Sequence, residues 1–282
     1  MFGILKEIIS DHFHNITQIF KMAKADLVKT YRGAALGWSW AIIKPCVTLF
    51  TYWITFSIGL RKNAPIEGMN GLDFPFFLWL AIGIVPWFYM SEMLTQGTES
   101  IRKYKYLVTK MKFPISTIPT FVSLSKLMIN LVLLGVVIGL FLVMGYPPSI
   151  YYLQIPLFVI FSFLFFTLWA QFASLFAAIS HDFANLVKSF ITPIFWLSGI
   201  LWQADKVKLS GSMGEFEVWV QRFLNLNPVT FLTGGFRDSL VYGRWFWESP
   251  KKCMYFACWI LLLSLLSLWA HKRLRKDIPD VL

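Results

Sequence analysis

Four histidines, His12, His14, His181 and His271, are the residues best suited to acid–base or metal chemistry, and their spacing supports neither. His12 and His14 are two apart and on a helix would point in different directions, His181 stands beside Asp182 alone, and His271 falls in a basic cluster. No HExxH, CxxC or GxSxG pattern occurs. Cys46, Cys253 and Cys258 lie in or beside apolar runs, are odd in number and lack ligand spacing, so they read as packing residues and no metal site is expected. There is also no GxxxxGK[ST] phosphate loop. Any nucleotide-driven process would need its ATPase on another chain, and no cofactor is expected in this one.

Charges among apolar residues are the next candidates, because a charge inside a membrane is costly and is usually functional. Lys126 lies about 20 helical residues before Tyr146, which at about 1.5 Å per residue carries it across a ~30 Å core to the inner boundary. There it would snorkel to headgroups or meet an anionic substrate headgroup. Glu92 reads as another boundary residue. Lys29 and Arg32 sit near the same boundary, where cations, and Arg in bidentate geometry, would suit a pyrophosphate. Arg237 stands between short apolar stretches, and its neighbour Asp238 points elsewhere on a helix, so a carbonyl, another acid or water must satisfy it. With Pro228 and Phe236 it is expected to form an outer gate. Aromatic residues make up 18% of the chain, with 13 tryptophans. Trp38, Trp87 and Trp245 suit span ends, whereas Trp53, Trp169 and Trp196 lie deeper and offer flat surfaces that meet sugar faces without gripping them.

These residues are carried by six apolar runs, roughly 37–60, 74–97, 117–145, 152–179, 184–203 and 253–271, each long enough to span a bilayer. With 57% apolar residues and a positive mean hydropathy, the chain is expected to be an all-α polytopic membrane protein. The net charge of +11 is concentrated in residues 1–44, the 98–113 loop and the tail from Lys272 to Lys276. Six spans with both termini inside place all three on the cytoplasmic side, as the positive-inside rule requires, and nucleic-acid binding is not expected. The early apolar residues are interrupted by Lys6, Glu7, Asp11 and Asn15, which argues against a cleavable leader.

Residues 1–34 read as an interfacial amphipathic helix and elbow, with Leu5, Ile8, Ile9, Phe13, Ile16, Ile19, Phe20, Ala23 and Leu27 at helical steps. Residues 35–282 form the membrane domain. Within it, residues 98–113 predict a short cytoplasmic helix ended by Pro114, with Tyr104, Leu107 and Met111 on one face and Arg102 and Lys110 among its basic groups. Residues 204–252 predict two short re-entrant helices, broken at Asn227-Pro228 and Gly234-Gly235.

The order of the amphipathic helix, Leu36-Gly37-x-x-Trp40 leading to Pro45, Lys110-Met111-Lys112-Phe113-Pro114 with Pro119, and Asn227-Pro228 followed by Arg237 resembles the transmembrane subunit of ABC-2 type polysaccharide exporters. The resemblance runs the whole length. The stretch Tyr52-Trp53-x-x-Phe56-x-x-Gly59-Leu60-Arg61-x-Asn63-Ala64-Pro65-Ile66 with Gly68 is similar to the wall teichoic acid permeases of Gram-positive bacteria. O-antigen and capsule exporters are the alternative, and a membrane-embedded enzyme acting on lipid-linked sugars is a more distant one. The resemblance implies a plasma-membrane homodimer bound to two copies of a separate ATPase, which holds ATP and Mg. It also implies an undecaprenyl-pyrophosphate-linked anionic polymer as cargo. Residues 3–25 and 98–113, including Arg102, Tyr104, Leu107 and Lys110, would meet the ATPase, and residues 213–242 would guard the exit.

Overall fold

The computed structural model describes residues 2–33, 35–61, 65–111, 113–203 and 214–278. Lys62, Asn63 and Ala64, Lys112, the start of the outer segment (204–213) and residues 279–282 lie outside the described residues.

The interfacial stretch is two helices, α1 (Phe2–His14) and α2 (Ile16–Tyr31), rather than one. The break falls at Asn15, whose side-chain amide donates to the Asp11 carbonyl (2.8 Å), the local competition that makes Asn a poor helix-interior residue. The elbow turns at Gly33, with φ +89°, into α3 (Trp40–Ile54). A two-stranded antiparallel hairpin, β1 (Ile66–Glu67) and β2 (Asp73–Phe74), follows and is a small exception to the all-α expectation. Next come α4 (Phe76–Glu92), the loop helices α5 (Ser100–Lys103) and α6 (Lys105–Thr109), α7 (Thr117–Val143) and α8 (Ile155–Ile179). The chain closes with α9 (His181–Leu197), α10 (Gly214–Leu226), α11 (Pro228–Arg237) and α12 (Pro250–Leu274).

Among the described residues, five helical segments are long and apolar enough to cross a membrane: Gly37–Ile58, Phe76–Gly97, Thr117–Val143, Ile150–Ile179 and Pro250–Leu274. The expected fifth span, 184–203, falls short of this length. Its helix α9 has 17 residues, about 26 Å at 1.5 Å per residue, and then turns at Gly199 with φ +63°.

The second segment is apolar on all sides and is the most buried of the five, as expected of a helix at the centre of a bundle. It packs on α3, α7 and α11, and α8 joins α12 on the flank of α7. The main core lies around it, with Trp79, Tyr89, Phe141, Phe158, Phe166 and Phe236 fully buried. A second core at the basic end gathers Ile19 and Ala23 of α2, Ile101, Tyr104 and Leu107 of the loop, Phe121 of α7, Leu175 of α8 and Ala270 of α12. By contrast α3 and α12 are largely uncovered, and Val47, Phe50, Leu261 and Leu265 face outward, as lipid-facing or partner-facing helices must.

Candidate functional site: a row of cavities along one buried helix

At the basic end, α2, α3, α4 and α7 enclose a cleft of about 550 Å³ lined by Tyr31, Trp40, Lys44, Glu92, Lys126 and Asn130, among others. Lys126 does not snorkel to the surface: its side chain is 3% exposed and its Nζ lies 3.5 Å from Glu92 Oε2. Lys126 and Glu92, 34 positions apart in the chain, are thus one ion pair rather than two boundary residues. Asn130 donates to the Val85 carbonyl at 2.6 Å, one of the backbone groups of α4. Lys29 and Arg32 are exposed and stand outside the cleft's lining, Lys29 over the Tyr104 ring at 5.8 Å. Lys44, not singled out from the sequence, supplies the cleft's second cation.

One turn further along α4, a groove of about 200 Å³ is walled by Tyr52, Trp87, Phe88, Phe195 and Trp196. Phe88 belongs to both cavities. Trp53 is outside the groove's lining, edge-on to Phe77 at 5.7 Å, whereas Trp196 is part of its wall and also contacts Phe56. Trp169 is also outside the lining. It packs on Phe172, and its indole N–H donates to Thr98 Oγ1 at 3.3 Å.

The opposite end holds a more polar cavity of about 450 Å³, reached by Trp79, Ser198, Asn225, Thr230, Arg237 and Asp238. Its wall is α11. Asn227 caps that helix by accepting from the Val229 amide at 2.9 Å, and Pro228 occupies the first turn, where its missing N–H costs nothing. The expected break at Gly234-Gly235 does not occur; α11 runs through both residues. Gly235 instead permits close approach, since a Cβ there would overlap the Phe158 ring, and Phe158 also packs on the buried Phe236.

Arg237 is buried and donates to three carbonyls: Gly199 at 2.8 Å, Trp79 at 3.4 Å and Ile200. Its guanidinium also lies 3.5 Å from the centroid of the Trp79 ring. This is the carbonyl satisfaction that the sequence required, and it ties α11 to α4 and to the turn after α9. The Gly199 and Ile200 carbonyls that face Arg237 belong to the turn that follows the end of α9 at Leu197. Gly83 leaves the space for the guanidinium, and a Cβ there would sit inside it. Gly83→Ala is therefore expected to lower stability by about 1–3 kcal/mol, the usual range for overpacking. Combined with Arg237→Ala it should add little further loss, since the clash is with the side chain already removed. Thermal unfolding of the solubilised single and double variants checks this.

The loop between the second and third membrane segments is broken at Tyr104, and its inward face differs from the expected one. Tyr104 and Leu107 are buried in the second core and are not free docking anchors; the exposed side carries Lys105, Tyr106, Lys110 and Met111. The reason is Asp26, a residue that sequence reasoning missed. Buried on α2, its Oδ1 accepts from Lys103 Nζ at 2.8 Å and from the Tyr104 hydroxyl. Burial pushes the Asp26 carboxyl up, but hydrogen bonds from Lys103 and Tyr104 and the charge of Lys103 outweigh it, so its pKa lies below the ordinary value. The available signal was a lone acid on the stripe Ile19, Ala23 and Leu27. Arg102 pairs with the ring of His181 at 2.8 Å, and Lys188 with Glu99 at 2.6 Å, joining the loop to the start of α9. His12 meets Thr120 and Asp11 meets Ser116, joining α1 to α7.

Helices long enough to cross a bilayer thus hold a charged cleft, an aromatic groove and a polar cavity, each touching α4. The model of the ABC-2 type transporter family matches residues 17–241, most of the chain, and the chain belongs to that family. It is the multi-pass membrane subunit of a transporter working with an ABC ATPase, not an enzyme. The chain is also similar to the O-antigen export system permease protein RfbA of Myxococcus xanthus. The two are 24% identical over 258 residues, covering 90% of this chain and 92% of the relative.

Proposed function

We propose that the chain exports a lipid-linked polysaccharide from the cytoplasmic to the outer face of the plasma membrane, as a homodimer driven by two ATPase subunits that hold ATP and Mg. The row of cavities along α4 carries this reading: cations where an anionic lipid headgroup would enter, aromatic faces for sugars, and a polar cavity at the exit. The similarity to the O-antigen export permease of Myxococcus xanthus supports an O-antigen-like glycan as cargo. A polyol-phosphate polymer such as wall teichoic acid is the second reading, favoured by the stretch Tyr52 to Gly68.

In this reading α9 and the turn after it make the fifth of six crossings, so the basic end and both termini are cytoplasmic. The aromatic groove lies at the α3–α9 edge, where Phe50, Phe190 and Trp196 are exposed, and a second copy there would close it. Residues 98–113 would receive the ATPase on their exposed side, and α11 with Pro228, Phe236 and Arg237 would gate the exit.

The test is to copurify the chain with its ATPase, reconstitute the complex and measure ATP hydrolysis with and without an undecaprenyl-pyrophosphate-linked glycan. Lys126→Ala with Lys44→Ala is expected to weaken stimulation by the lipid-linked glycan about tenfold, equivalent to about 1.4 kcal/mol, and to leave basal hydrolysis unchanged. Arg32→Ala, outside the cleft, should do less. Equal loss of basal and stimulated activity would assign the two lysines to folding.

A further inference from the structure

A separate cleft of about 540 Å³ opens between α10 and the start of α12, lined by Arg222, Asn225, Glu248, Lys251, Lys252 and Tyr255, among others. This is within the size range of small-ligand sites. Three cations face one acid, and that acid already accepts from the Trp245 amide at 2.9 Å. Arg222, Lys251 and Lys252 take part in none of the ion pairs among the described residues. The two helices that carry them are joined to each other. Trp259 donates to the Leu226 carbonyl at 2.8 Å, fastening the end of α10 to α12, and Arg222 lies 5.8 Å from the Trp219 ring.

The local backbone adds to the positive field. The first intrahelical bond of α12 runs from the Cys253 amide to Ser249, so the amides of Lys251 and Lys252 are free of helical partners. Topology does not account for these cations. On the outward orientation of this end under the proposed function, on which this inference rests, lysines and arginines beside a span oppose the positive-inside preference. Exposed Trp219 and Phe223 on the same helix put the cleft at headgroup depth. It also shares Asn225, Glu248, Ser249 and Lys252 with the polar cavity of the exit, so whatever leaves that cavity on this side passes the three cations.

We infer that this cleft binds a phosphate group at the outer membrane surface, with Arg222 supplying a planar fork and Lys251 and Lys252 point charges. Two sources have the same chemistry: a phosphodiester of the emerging polymer, or the headgroup of an outer-leaflet phospholipid.

The experiment compares the full chain, copurified with its ATPase in nanodiscs, with an Arg222→Gln, Lys251→Gln, Lys252→Gln variant. One probe is a soluble oligo(glycerol phosphate) added to phosphatidylcholine discs; the other is phosphatidylglycerol mixed into the discs. If the polymer is the source, the oligomer should bind wild type at least tenfold more tightly than the variant at about 0.1 M salt. That difference should shrink at about 0.5 M salt, where screening is stronger. If lipid is the source, the oligomer should not bind, and native mass spectrometry should find phosphatidylglycerol retained on wild type and lost from the variant. A charge-conserving Arg222→Lys, Lys251→Arg, Lys252→Arg variant should keep most of the binding. Oligomer binding and lipid retention that are the same in wild type and the glutamine variant would overturn the inference. Failure of the ATPase to copurify with either protein would instead count against the exporter reading, since these residues lie at the opposite end from the loop.

Discussion

Arg237→Ala is expected to be among the most damaging single substitutions outside the cores, lowering stability by about 3–5 kcal/mol, the range for breaking a buried charged network. Its guanidinium holds the carbonyls of Trp79, Gly199 and Ile200, and each one left buried without a donor costs about 1–3 kcal/mol. The stacking on Trp79 is lost as well. The functional effect should be separable from the structural one, because the residue joins α11 to α4 and to the turn after α9, far from the loop proposed to receive the ATPase. The variant should still bind its ATPase, deliver less polymer outward and leak small solutes in vesicles. Arg237→Lys keeps the charge without the fork and should recover part of the stability but little of the gating. Wild-type unfolding, delivery and leak in the alanine variant would reduce Arg237 to an ordinary polar contact.

Asp26→Asn is expected to uncouple the ATPase from transport with only a moderate loss of stability, about 1.5–3 kcal/mol for hydrogen bonds to a charged group. Asp26 is the point at which α2 holds the loop helices, through Lys103 and Tyr104, and Tyr104 in turn packs edge-on to Phe121 of α7 at 4.9 Å. Under the proposed function, a push on the exposed side of the loop would reach α2 and α7 through these contacts. With asparagine the loop and α2 move independently, so stimulated hydrolysis should fall about tenfold while copurification with the ATPase persists. A double cycle with Tyr104→Phe should give a coupling energy of about 0.5–3 kcal/mol; zero coupling would show that the two residues act separately.

The pH dependence follows from the lowered pKa. A carboxyl whose pKa is lower in the folded state contributes its stability above the ordinary value of 3.8 and loses it as pH falls through the lower folded value. Wild type and Asp26→Asn should therefore differ fully at pH 7 and converge below about pH 3.8, a range that chemical denaturation in detergent can follow.

Much of this was legible in the chain because it depends on local rules. A bilayer demands about 20 apolar helical residues per crossing, and five of the six apolar runs expected to cross are, among the described residues, helices long and apolar enough to do so. Asn227-Pro228 is a cap and first-turn pair and marked the start of α11. Arg237 amid apolar sequence had to find carbonyls or an acid, and carbonyls from three residues are there. The missing phosphate loop placed nucleotide hydrolysis on another chain.

The rest depended on which distant elements meet. Both faces of residues 98–113 carry aromatic or aliphatic groups at helical spacing, so periodicity could not say which was inside; a carboxylate 78 positions away, on α2, decided it for Tyr104. Lys126 and Glu92 looked like two separate boundary residues because only the packing of α4 on α7 makes them a pair. The turn after α9 is tied to a guanidinium 38 positions beyond Gly199, a partner that no local pattern names. Hydropathy and capping belong to a segment and its solvent, so the sequence by itself determined which segments are apolar enough to cross a membrane and where a capped helix such as α11 begins. Hydrogen bonds and ion pairs between segments need two partners in place, and only the tertiary structure decided which cations line the inner cleft, which face of the loop is free and what closes the outer end.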